Sequence, residues 1–229
     1  MRPAPAQPGG GAAAIAPAGD PALSFVPHTF YQRHGKRLFD LAVASVALLL
    51  TSPIFLIVSI AIRIESKGSP FYLSTRLGRH ARPFRFIKFR SMVAGADKLK
   101  DQLQALNEMD GPVFKIRKDP RMTRMGRLLR RTSLDELPQV INVLLGQMSL
   151  VGPRPPIPEE VEQYEPWQRR RLSVTPGITC LWQVSGRNKI SFAEWMEMDM
   201  EYVDHLGLKT DLKVLALTLP AVLRGVGAS

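Results

Sequence analysis

The 229-residue chain carries 31 Lys and Arg against 20 Asp and Glu, a formal net charge of +11, and 45% of it is hydrophobic. That is enough apolar material for one ordinary domain with an appendage, and the positive excess predicts attraction to polyanions: nucleic acid, an anionic bilayer or phosphorylated substrates. Cys180 is the single cysteine, which excludes an intrachain disulfide or a Cys-rich zinc site and fits a reducing compartment.

Residues 1–30 are read as a disordered tail. Up to Pro27 they are mostly Pro, Ala and Gly, a composition that buries too little apolar surface to offset its ordering entropy. Pro3, Pro5 and Pro8 fall where a secretory signal would begin its apolar core, so the cytoplasmic side is expected.

Residues 31–66 form the next unit. No charged side chain occurs between Leu41 and Ile62, and at about 1.5 Å per residue that run is long enough to cross a hydrocarbon layer of roughly 30 Å. Basic residues flank it on both sides: Arg33, Lys36 and Arg37 before, Arg63, Lys67, Arg76, Arg79, Arg82 and Arg85 after. A single crossing would place one cluster outside, against the preference for Lys and Arg on the cytoplasmic side. Ser52 and Pro53 offer a turning point, because proline removes a backbone donor and clashes with the carbonyl four residues back, here Leu49, while Thr51 and Ser52 can satisfy freed backbone groups. The sequence therefore favours a re-entrant helix-break-helix, with a kinked span and a buried soluble helix as the alternatives.

Residues 67–229 are read as a compact cytoplasmic domain, α+β and mainly helical. Phe71 to Leu77 and Phe84 to Phe89 are β-prone and predict a small hairpin. Ala94 to Asn107 holds Leu99, Leu103 and Leu106 at helical spacing. Arg121, Arg124, Arg127, Arg130 and Arg131 alternate with Met122, Met125, Leu128 and Leu129, the pattern of an interfacial amphipathic helix with a cationic edge, of a solvated charge run, or of a DNA-contacting helix. Glu159 to Leu172 is helix-compatible, and Ser191 with Glu194 predicts a capped helix stopping near Gly207. Leu212 to Leu223 is too short to span and contains Pro220, so an interfacial or core helix is expected.

Asp135 and Glu136 stand in "TSLDELPQV". Ser133 with Glu136 fits a Ser-x-x-Glu capping box, but Pro138 would then clash with the carbonyl of Leu134, so the helix is expected to begin one or two residues later. Two acids at a helix mouth beside Arg130 and Arg131 suit either capping or a nucleophile or magnesium ligand facing a phosphate. The four histidines fall in no catalytic spacing.

Several motifs in order, "KRLFD", the Ser-Pro break, "FIKFRSM", "SLDELPQVINVLLGQMSLVGPRP", "PGIT", "QVSGRN" and "DLKVL", give the chain a resemblance to the bacterial sugar transferases, the small monotopic phosphoglycosyl transferases. The resemblance covers about residues 36–219. It implies transfer of a sugar-1-phosphate from a nucleoside diphosphate sugar, usually a UDP-hexose, to undecaprenyl phosphate, with release of UMP. It also implies a magnesium ion at Asp135 and Glu136, with Asp135 as nucleophile through a phosphosugar-aspartyl intermediate. Lys88, Arg130, Arg154 and Arg187 would bind phosphate or nucleotide, and Asp199 and Asp211 match supporting acidic positions. Such an enzyme would be monotopic on the cytoplasmic face of the bacterial inner membrane, in contact with lipids, without nucleic acid, with a homo-oligomer allowed, and would start exopolysaccharide, capsule or glycan assembly. It looks like a minimal catalytic form, without the transmembrane helices of larger relatives. Cys180 departs from the glycine frequent after "PGIT", which bears only on the local turn. The competing expectation from the residues alone is a non-enzymatic, basic, membrane-tethered binding module.

Overall fold

The computed structural model describes residues 23–116, 118–185 and 190–223. Most of the proposed tail and Arg187 lie outside them. The described chain is mainly helical, with two small two-stranded sheets. A short π-helical turn at Tyr31–Gly35 leads into α1 (Lys36–Glu65), about 45 Å long for its thirty residues.

The expected division into two half-helices is not seen, since α1 runs through Pro53 without interruption. The reason is local. Pro53 supplies no N–H for the Leu49 carbonyl, and Ser52 Oγ donates to that carbonyl instead at 2.9 Å, while Thr51 Oγ1 donates to Ala47 O at 2.6 Å. Val46, Leu49, Leu50, Leu56, Ile57 and Ile60 are exposed around this point.

Both ends of α1 are fastened to the same body. At the base, Lys36 Nζ donates to Asp211 Oδ2 at 2.6 Å and to Val151 O at 3.0 Å, and Asp40 Oδ1 accepts from the amide of Leu150 at 3.0 Å. Arg37 donates to the carbonyls of Val143 and Leu144, a cation at the carboxyl end of α3 (Gln139–Leu144). At the far end Val58 and Ile62 pack with Phe89 and Leu129, and the Glu65 carboxylate accepts from the amide of Met125 at 3.1 Å.

The hairpin forms as expected. β1 (Phe71–Leu77) and β2 (Pro83–Phe89) are antiparallel, with Tyr72 opposite Lys88, Ser74 opposite Phe86 and Arg76 opposite Phe84. Asn142 of α3 pins β2 from the side: its Oδ1 accepts from the amide of Ile87 at 3.1 Å and its Nδ2 donates to Arg85 O at 2.7 Å. The Ala94 to Asn107 segment departs from a regular α-helix. It consists of two 3₁₀ stretches, Ala96–Leu99 and Asp101–Leu106, because Leu99 and Leu106 stay exposed and supply no apolar face to hold an α-helix.

α2 (Arg124–Arg131) is capped by Thr123, whose Oγ1 accepts from the amide of Gly126 at 2.9 Å. Arg124, Arg127, Leu128 and Arg131 are exposed on it. Arg121 is not part of this cationic edge, since it is buried in a paired contact with Asp119. Gly126 lets the helix lie directly on the end of the hairpin, for a Cβ there would sit 1.9 Å from Ser91 O.

β3 (Ser149–Val151) and β4 (Gly177–Thr179) pair in parallel. Gly152 and Gly177 allow the backbones to touch, a Cβ on Gly177 lying 2.1 Å from Gly152 N, and this close crossing fixes the start of the "GPRP" segment. α4 (Pro158–Val161) and a 3₁₀ stretch at Gln168–Ser173 replace the longer helix expected there. After α5 (Leu181–Ser185), α6 (Phe192–Asp204) begins with the expected Ser191–Glu194 capping box. α7 (Leu208–Leu223) buries Asp211 and Val214 and exposes Leu208, Leu212, Leu217 and Leu219, as an interfacial helix would.

Candidate active site

The Asp135–Glu136 pair sits on a 3₁₀ turn, Leu134–Glu136, between α2 and α3. Ser133 precedes it with φ of +57° and makes no side-chain cap, so the Ser-x-x-Glu box does not form. Pro138 displaces the start of α3 to Gln139, and the residues before it take a tighter turn. A non-glycine residue held in the left-handed region at this point is stored strain, and such strain gathers at functional sites.

The turn projects both acids into a cavity of about 460 Å³ whose lining includes Lys88, Arg130, Arg154, Phe114, Trp182 and Trp195. Lys88 Nζ donates to Glu136 Oε1 at 2.7 Å and lies 3.9 Å from Asp135 Oδ2, and Arg154 NH1 lies 3.8 Å from Glu136 Oε1. Glu136 is thus the acid that holds the cations. Asp135 is buried, and its only ion-pair contact among the described residues is the long one to Lys88. Burial raises the Asp135 carboxyl above the usual range, a rise that Lys88 opposes and Glu136 reinforces. Burial likewise draws the Lys88 ammonium down against the pull of Glu136 and Asp135.

Arg130 is aimed by Ser91, whose Oγ accepts from Arg130 Nε at 3.1 Å, a bond that depends on the close packing of Gly126. Arg131 stays exposed on the outer side of α2 and does not line the cavity. Arg154 is held through its backbone: its carbonyl accepts from Arg171 NH2 at 2.8 Å.

Asp199 and Asp211 are elsewhere. Asp199 is buried against Arg171 at 2.7 Å, where burial pushes its carboxyl up to about 6. Asp211 is fully buried, accepting from Tyr31, Lys36 and Tyr202 at 2.6 to 2.8 Å. It anchors α1 to α7 and does not line the cavity that holds Asp135 and Glu136.

Among the lining residues that the motifs do not contain are Ser74 and Arg76, on the same face of β1 as Tyr72. Strand alternation with the Tyr72–Lys88 register places them on the side of Lys88, and that is the signal that finds them. Arg76 stacks over Phe86 at 5.4 Å, as Lys88 does at 5.3 Å. Burial, and then the neighbouring Arg154, bring its guanidinium down to about 10.

Comparison with known proteins agrees with the motif order. The chain is 45% identical over 194 residues to galactosyl transferase CpsE of Streptococcus agalactiae, a match covering 84% of this chain and 43% of that protein. It is 41% identical over 191 residues to exopolysaccharide production protein ExoY of Rhizobium meliloti, covering 82% of this chain and 84% of the relative. It is also 41% identical over 201 residues to undecaprenyl-phosphate galactose phosphotransferase of Salmonella typhimurium, covering 84% of this chain and 41% of the other. The chain therefore spans less than half of two of these relatives and most of the third. The model of the family described as bacterial sugar transferase matches residues 31–225. That stretch takes in α1, the hairpin, the acidic turn and α7, so the match and the cavity describe one unit: the chain belongs to the bacterial sugar transferase family.

Proposed function

We propose that the protein transfers a sugar-1-phosphate from a nucleoside diphosphate sugar, a UDP-hexose, to undecaprenyl phosphate, the first membrane step of exopolysaccharide, capsule or glycan synthesis. The observation that carries this reading is the unequal treatment of the two acids. Lys88 and Arg154 converge on Glu136, while Asp135 stands in the same cavity with one distant cation. A carboxylate oxygen of Asp135 attacks the phosphorus that bears the sugar, and the bond from that phosphorus to the nucleoside monophosphate breaks. UMP leaves with the bond's electron pair. A phosphate oxygen of the lipid then attacks the same phosphorus, breaking the acyl phosphate bond and regenerating the carboxylate. Phosphoryl transfer is limited by positioning and charge neutralisation, and Lys88, Arg130 and Arg154 supply both. Arg187 would add to them.

A magnesium ion suits the two adjacent carboxylates, because Mg²⁺ takes one or two protein carboxylates and completes its shell with water and substrate phosphates. Among the described residues no group of three or more such ligands exists, so Asp135 and Glu136 would hold the ion together with the donor's diphosphate. When bound it would neutralise charge on the phosphates.

The same reading places the enzyme as a monotopic protein on the cytoplasmic face of the bacterial inner membrane. Supporting this, both ends of α1 are fastened to one body while its apolar middle is exposed, which suits a helix that dips into one leaflet, and exposed arginines of α2 suit anionic headgroups. A topology test is direct. His34→Cys and Lys67→Cys variants, treated with an impermeant thiol reagent on vesicles of each orientation, are both expected to label from the cytoplasmic side only. The native Cys180 is buried and leaves the readout clean. Labelling from opposite sides would establish a span. For the reaction, the test is magnesium-dependent release of UMP that requires both donor and polyprenyl phosphate for sustained turnover.

A further inference from the structure

Ser74 and Arg76 leave polar groups unanswered beside the dyad. Ser74 Oγ and Arg76 Nε are both shielded from solvent and without a hydrogen-bond partner among the described residues. Both side chains line the cavity from one face of β1. Each such group costs free energy in a finished site unless something occupies it. The charge is only partly answered, by Glu160 from beyond ion-pair distance. Arg76 donates through NH1 to Pro155 O at 3.2 Å, a neutral partner, and no carboxylate of the described residues lies within ion-pair distance. Glu160, another lining acid, gives Oε2 to the amide of Ile157. Arg154, close enough to disfavour charge on Arg76, spends only a 3.8 Å contact on Glu136. Two guanidinium groups thus share this end of the cavity with only long-range carboxylate support, Arg154 from Glu136 at 3.8 Å and Arg76 from Glu160 beyond ion-pair distance.

We propose that Ser74 and Arg76 of β1, with Arg154, form an anion subsite for a phosphate monoester adjoining the Asp135–Glu136 turn. Two guanidinium groups and a hydroxyl match a group carrying about two negative charges and three acceptor oxygens. The inference rests on the proposed reaction, which presents such a group twice: as the phosphate of the leaving nucleoside monophosphate, and as the phosphate of the incoming polyprenyl acceptor. Lys88 and Arg130 remain for the phosphorus under attack.

The test uses the full chain in lipid nanodiscs, as wild type, Ser74→Ala and Arg76→Gln. UMP affinity is measured by calorimetry without turnover, and KM for undecaprenyl phosphate is measured separately. Losing a charge-assisted bond is expected to weaken binding about tenfold or more for Arg76→Gln, and losing one neutral bond about threefold for Ser74→Ala, with the Arg76 effect shrinking in high salt. A change in UMP affinity assigns the subsite to the leaving group. A change confined to the KM of undecaprenyl phosphate assigns it to the acceptor. Ser74→Ala removes a single oxygen and carries the test if Arg76→Gln does not fold. Folded variants with unchanged UMP affinity and unchanged acceptor KM overturn the subsite, as does wild-type protein that binds neither ligand. Wild-type protein that binds UMP through Arg76 yet transfers no sugar phosphate sinks the reaction and leaves the subsite standing.

Discussion

Asp135→Asn is expected to lower turnover on the order of a millionfold, the scale of losing a covalent nucleophile, and to remove the phosphosugar adduct while the protein stays folded and membrane-bound. The substitution is nearly isosteric and leaves Lys88 paired with Glu136 at 2.7 Å. It removes a carboxylate that the site stabilises poorly, since burial raises the Asp135 carboxyl above its usual value. A raised value in the folded state means that this group's favourable contribution is greatest at low pH and is lost as pH rises through it. Wherever the buried Asp135 carboxyl is ionised it therefore costs stability, and above its raised value the Asn variant should melt at or above the wild-type temperature. The same shift sets the acid limb of activity. The nucleophile must be ionised, so kcat/KM for the donor should fall with decreasing pH at a midpoint above the ordinary carboxylate value of about 3.9. Mass spectrometry of enzyme quenched with donor alone is expected to show the adduct in wild type. Its persistence in the Asn variant, with turnover intact, would move the nucleophile away from Asp135.

Where a feature depends on local spacing, it was legible in the sequence. The hairpin follows from alternating β-prone runs, and the α6 box from Ser191 and Glu194. Pro138 alone indicated that the helix after the dyad starts late, though not that Ser133 would adopt a left-handed conformation to launch a 3₁₀ turn. Pro53 misled because its effect depends on one hydroxyl: with Ser52 Oγ on the Leu49 carbonyl, the helix continues. Motif order brought Lys88, Arg130, Arg154, Asp135 and Glu136 into view, and they do share a cavity. It set Asp199 and Asp211 apart only as supporting acids without saying what they support, since an acid's partner far along the chain decides whether it lines a site or anchors an element. Lys36 stands 175 residues from Asp211. Ser74 and Arg76 were hidden for a related reason: the cavity face of β1 is known only once Tyr72 is placed opposite Lys88.

Arg171 and Asp199 are expected to matter more for the position of Arg154 than for net stability. Their 2.7 Å pair is wholly buried. Arg171 donates to Tyr164 Oη at 2.6 Å and to the Arg154 carbonyl at 2.8 Å, and its guanidinium lies 5.3 Å from the centre of the Trp195 ring that walls the cavity. Burial lifts Asp199 to about 6 despite the adjacent guanidinium, so desolvation outweighs attraction for this carboxylate. Asp199→Leu alone leaves the Arg171 charge unpaired and should cost about 3–5 kcal/mol in urea denaturation, whereas Arg171→Met with Asp199→Leu should recover most of that loss. Activity should not return with it, because the Arg154 carbonyl has lost its donor and the GPRP segment its fixed position; kcat should fall more than donor KM rises. The folded-state value lies above the usual carboxylate range, so the contribution of Asp199 is best below that range and is lost as pH rises through about 6. Wild-type stability relative to the double variant should therefore improve as pH is lowered from 7 to 5. A double variant with wild-type kcat would show that Arg154 is placed by the Gly152–Gly177 crossing alone.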